Sequence, residues 1–123
     1  MEYDEIQEIL INQLCDEKNF SYSRGIYLEH GHGSLDEVQE CSTFYSKKPW
    51  DNKRLEITLY YSYILFIIQD TTTFIDIVSI KVPLKEISKI TIKDYWAFTG
   101  SNKRIVDIIL NDYEHSCTWI LDY

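Results

Sequence analysis

An amphipathic opening segment, followed by a succession of β-branched and aromatic runs, predicts an α+β fold: an N-terminal helix packed on an antiparallel sheet of five to seven strands. The size and composition agree. A chain of 123 residues, 45% hydrophobic and 15% aromatic, is predicted to be a single domain over residues 1–123 that folds by itself.

The helix is read from residues 2–18, "EYDEIQEILINQLCDEK". Tyr3, Ile6, Ile9, Leu10 and Leu14 recur at three- and four-residue steps, and the acids of the first turns sit where a helix dipole favours them. Ile11 widens the apolar stripe, which suits packing against a sheet better than a coiled-coil seam. Next, "SRGIYLEH" reads as a strand entered through Gly25, and "HGHGS" as a turn on Gly31 and Gly33. Ser34 and Glu37 stand at capping-box spacing, so "LDEVQEC" is expected to be a short helix with Leu35 and Val38 inward. "KKPWDNKR", residues 47–54, gathers charge, Pro49 and Asn52 and is expected to be a loop.

Strand signals dominate thereafter. Residues 55–70, "LEITLYYSYILFIIQD", are rich in β-branched and aromatic side chains. Residues 73–82 alternate from Phe74 onward, and residues 87–98 set Ile90 and Ile92 against Lys89 and Lys93. "TGSNK" reads as a turn, and "RIVDIIL" and "CTWILDY" as a final hairpin around "NDYEHS". At least five consecutive strands with short connections favour antiparallel pairing.

The net charge of −8 is distributed unevenly. Residues 1–40 hold ten acids (Glu2, Asp4, Glu5, Glu8, Asp16, Glu17, Glu29, Asp36, Glu37 and Glu40) against Lys18 and Arg24, which accounts for the whole imbalance. Such a segment attracts cations and repels polyanions, so nucleic acid is not expected as a direct ligand. The start, "MEYDEIQEIL", is acidic where a secretory signal would be basic. The longest apolar run, residues 59–68, is about half of a membrane span. A cytoplasmic protein with no membrane partner is expected. Cys15, Cys41 and Cys117 are widely spaced without a CxxC, as befits reduced thiols in such a compartment.

The stretch "LEHGHGSLDEVQEC" raises a chemical question, because His30 and His32 lie two apart and "HSC" repeats that spacing with His115 and Cys117. Three nitrogens and one sulfur form a set that zinc accepts, so His30, His32, His115 and Cys117 are the metal-ligand alternative. An acid–base nuclease would use two of the three histidines with Lys47 or Lys48, but the negative charge opposes a polyanionic substrate. No nucleophile elbow, P-loop or dinucleotide fingerprint is present, and no cofactor is called for. The remaining reading is a recognition loop in which Glu29, His30, His32, Asp36, Glu37 and Glu40 reach a cationic partner, with Trp50 as an aromatic anchor.

Two resemblances bear on these expectations. Residues 63–92 carry Leu65 and Phe66, then Pro83, Leu84, Ile87 and Ile90, and this pattern resembles the middle of pleckstrin-homology-like and GRAM-type domains. That resemblance implies an open barrel, although "CTWILDY" reads as a strand where those domains end in a helix. The acidic first third opposes the phosphoinositide binding known in such domains. As a whole, the short, acidic, Tyr-rich chain resembles the immunity proteins of bacterial contact-dependent and polymorphic toxin systems. This likeness implies a non-enzymatic, cytoplasmic inhibitor of a basic toxin domain, often a nuclease. Two alternatives stay open: a small metal-binding or hydrolytic domain on His30 and His32, and a phage-encoded inhibitor of a nucleic-acid-handling defence complex.

Overall fold

The computed structural model describes residues 1–16, 20–30, 36–46, 52–96, 102–112 and 116–122. The opening helix, α1 (Tyr3–Ile9), continues as a π-helical turn over Leu10–Leu14. Tyr3, Ile6, Leu10 and Leu14 are buried, which is the predicted apolar stripe. The turn widens where the Cys15 N–H reaches back to the Leu10 carbonyl at 3.1 Å. Helical structure stops at Leu14, short of the expected boundary, and Cys15 is extended. An outside donor, Arg104, takes the Leu14 carbonyl there.

Five strands follow as an antiparallel meander: β1 (Phe20–His30), β2 (Asp36–Ser46), β3 (Lys53–Leu59), β4 (Tyr63–Asp70) and β5 (Asp76–Pro83). A 3₁₀ turn over Leu84–Glu86 leads to a second meander of β6 (Ile87–Trp96), β7 (Asn102–Leu110) and β8 (Ser116–Asp122). Among the described residues the two sheets share no ladder, so no closed barrel forms. Eight strands exceed the five to seven expected. One addition is β2, and the other arises in residues 55–70, which bend into a hairpin where the Tyr60 N–H meets the Tyr63 carbonyl at 2.9 Å.

The expected short helix in "LDEVQEC" is also corrected. From Asp36 onward it is the start of β2, which pairs with β1 at every position from His30↔Asp36 to Phe20↔Ser46. Eleven residues of ladder outweigh a local capping signal. Strand residues also replace part of two expected turns, Lys53 and Arg54 in β3 and Asn102 and Lys103 in β7. Residues 47–51 and 97–101 lie outside the described residues. Pro83 ends β5, and Leu84 and Ile87 are buried across the bend.

The core lies between the helix and the two sheets. Phe44, Ile57, Leu59, Ile64 and Phe66 come from the larger sheet, Ile90, Val106 and Ile108 from the smaller, and all are buried with the helix stripe. Side chains of this kind stabilise by about 1.5–3 kcal/mol each when fully buried. Phe66 and Trp119 stack at 5.2 Å between ring centroids, tying β4 to β8. The helix is located by polar contacts as well. Tyr3 and Ser42 share a buried hydrogen bond of 2.8 Å, and Gln7 donates to the same hydroxyl at 2.9 Å. At the other end, Arg104 donates through Nη1 to the Leu14 carbonyl at 2.6 Å and to Asp16 at 3.0 Å, and through Nε and Nη2 to Asp94 at 2.8 and 3.1 Å.

Arg104 is 7% exposed, so removing it takes one donor from a buried carbonyl and one cation from each of two carboxylates. Because Asp94 itself is half exposed, Arg104→Met is expected to cost about 2–4 kcal/mol in urea unfolding. Arg104→Lys is expected to recover less than half of that, since an ammonium cannot span three acceptors as a guanidinium fork does.

Candidate functional site

The acids of the first third are gathered by two elements. Glu2, at the N-cap of α1, and Asp4, Glu5 and Glu8 within it are exposed, opposite the buried stripe. Glu5, Glu8, Ile9, Asn12 and Gln13 line a shallow groove on this face. The β1–β2 hairpin supplies four more, while Asp16 lies outside both and pairs with Arg104: the hairpin register sets Glu29 opposite Glu37, His30 opposite Asp36, and Ile26 opposite the exposed Glu40. Like charges placed directly across a ladder oppose folding by a few tenths of a kcal/mol to about 1 kcal/mol. Within the same third, Arg24 donates to the Tyr22 hydroxyl at 2.7 Å.

Of the residues expected to contact a partner, Glu29, His30, Asp36, Glu37 and Glu40 are thus brought onto one hairpin, four of them as directly facing pairs. His32 and Trp50 lie outside the described residues, as does His115 of the metal alternative. The other two members of that set fall in different sheets, His30 at the end of β1 and Cys117 in β8 opposite Ile108. Among the described residues no group of three or more His, Cys, Asp or Glu side chains is arranged to hold a metal ion. Burial pushes the Cys15 thiol up to about 11 and also raises that of Cys41, so both stay protonated near neutrality. No helix among the described residues is long and apolar enough to cross a membrane.

A second surface was not legible in the sequence. The turn from β4 to β5 presents Phe74, 74% exposed, and Ile75, 63% exposed. It is a built turn: the Phe74 N–H meets the Asp70 carbonyl, the Asp70 N–H meets the Ile75 carbonyl, and the Thr71 N–H meets the Asn52 carbonyl, all within 2.9 Å. The Asp70 carboxylate accepts from the N–H groups of Thr72 and Thr73 at 2.8 and 3.0 Å. Phe74 adopts a left-handed backbone with φ of 59°, which a bulky residue holds only against a cost of order 1 kcal/mol. The signal available was in residues 73–82 themselves, where Ile75 and Ile77 break the alternation and put apolar residues on the second face as well. In a sheet interior that pattern means full burial, and only the strand order places it at an edge.

The N–H groups of Thr73 and then Thr72 hold the Asp70 carboxyl below the ordinary aspartate range. Asp70 therefore supports the turn fully above the ordinary aspartate pKa, and the support is lost as pH falls through the lowered, folded value. Amide hydrogen exchange at Thr72 and Thr73 is expected to accelerate across that acidic window relative to amides of the β3–β4 ladder. Asp70→Asn is expected to abolish the pH dependence.

Comparison with protein-family models, with curated proteins and with solved structures returned no match to this chain.

Proposed function

We propose that this chain is an immunity protein: a cytoplasmic, non-enzymatic inhibitor that binds a cationic toxin domain, a nuclease, and covers its active site with the acidic surface of residues 1–40. The observation that carries the reading is the β1–β2 register, which sets Glu29 opposite Glu37 next to the His30↔Asp36 position. Folding gains nothing from two facing carboxylates, whereas a basic groove that has evolved to hold phosphates gains a complementary field. The exposed acids of α1, Asp4, Glu5 and Glu8, with Glu2 at its N-cap, extend the same sign of charge over a second element. Glu29, His30, Asp36, Glu37 and Glu40, with His32 and Trp50, form the proposed contact set.

The partner to test is the product of the gene immediately upstream, purified as a catalytically inactive variant if it is toxic. Replacing Asp36, Glu37 and Glu40 together with Lys is expected to lower the association rate about tenfold or more at low salt and to flatten its salt dependence. Stopped-flow binding with the unfolding midpoint measured in parallel separates this from loss of fold. An association rate that does not change rejects the acidic hairpin as the binding surface.

A further inference from the structure

β5 forms one edge of the five-stranded sheet, with β1 at the other. Among the described residues it pairs only with β4, and it leaves Ile77 51% and Ile80 36% exposed, directly after the exposed Phe74 and Ile75. Edge strands usually carry charge, proline, a bulge or a cover, because their outward N–H and C=O groups invite another strand. β5 carries the extra residue Ile77 where the register shifts against Ile68 and Gln69, an exposed Lys81, and Pro83 at its end. Residues 78–82 beyond Ile77 are in regular register with β4. The Leu84 N–H reaches the Ser62 carbonyl in the same register as the Ile64–Val82 pair. Alternation therefore turns the backbone groups of Val78, Ile80 and Val82 toward β4, and those of Ser79 and Lys81 outward.

We propose that β5 is the seam of a homodimer, in which β5 of a second copy pairs antiparallel with it about a twofold axis and joins two five-stranded sheets into one. Charge selects this occupant. β5 holds one acid, Asp76, and one base, Lys81, so the edge is neutral, while the acidic hairpin lies on the opposite edge of the sheet. A cationic partner gains little at β5, and a neutral, apolar edge gains most from another of its kind. The strand is also complementary to itself. With the axis at Ile80, the two Ile80 residues face each other, Val78 faces Val82 of the other copy, and the outward groups of Ser79 and Lys81 bond those of Lys81 and Ser79. Pro83, which has no N–H to donate, then stands opposite Ile77 and ends the ladder. The contact is isologous and uses up both β5 edges, so it closes at two copies. This inference does not rest on the toxin-inhibitor reading.

Sedimentation velocity of the full chain over a concentration series tests it, with a dimer of micromolar dissociation constant expected. Ser79→Pro deletes an outward N–H and leaves the β4 ladder intact, so it is expected to raise that constant roughly tenfold to a hundredfold with an unchanged circular dichroism spectrum. Ile77→Lys, at a half-exposed position, provides a second variant should the proline perturb folding. It sets like charge near Lys81 of the other copy and is expected to weaken the dimer about tenfold or more. A chain that stays monomeric at roughly 100 μM, or a dimer that neither substitution weakens, overturns the proposal. A monomer that instead takes up a strand-forming peptide at β5 assigns the edge to a different occupant and overturns it equally.

Discussion

The placement of the helix on the sheets depends on one guanidinium. Arg104 lies on β7 directly opposite Asp94 of β6, bonds that carboxylate with two arms, and uses its remaining reach for Asp16 and the last helical carbonyl, Leu14. The cation meets the negative end of the helix, where orphan carbonyls collect. A buried charge is costly by itself, and this one is tolerated because its donors are shared among three acceptors in planar geometry. The same side chain lies 6.0 Å from the centroid of the Phe20 ring, so it also packs against the first residue of β1. The helix end, the start of the larger sheet and the middle of the smaller one therefore converge on Arg104.

The other end of the helix is held differently. Tyr3 and Gln7, one turn apart, both reach the buried Ser42 hydroxyl, while the Met1 nitrogen donates to the carbonyls of Leu84 and Ile87. An apolar stripe can rotate by a fraction of a turn at small cost, but directional bonds cannot. Ser42 thus sets which face of α1 looks inward, and so which face carries Glu5 and Glu8 to the surface.

What was legible in the sequence follows from how local each signal is. The helix announced itself by period, and most strands by their β-branched and aromatic runs. The first residues of β2 did not, because "SLDEVQEC" carries a capping-box spacing whose local meaning is helical, while the partner strand is specified elsewhere in the chain. The break at residues 60–62 was hidden because Tyr-Tyr-Ser-Tyr contains no glycine or proline to mark a turn. Arg104 could not be identified at all, since a lone arginine in "NKRIVDIIL" gives no hint of acceptors at Leu14, Asp16 and Asp94. For the site, the charge asymmetry was plain from counting. That Glu29 faces Glu37 is a matter of strand register, which composition does not encode.

The Arg104 contact also orders events in time. Its bond to Leu14 spans 90 positions of the chain, and the Tyr3–Ser42 bond spans 39. During synthesis the helix can find its first anchor once β2 has emerged, but its C-terminal clamp must wait until β7 has left the ribosome. Loop-closure entropy has to be met before such distant contacts repay it, so folding is expected to be slow and to finish with this step. Until then the acidic helix is tethered at one end only. A nascent chain in that condition carries its full negative field before its apolar surfaces are sealed, and self-repulsion at that stage favours keeping neighbouring chains apart.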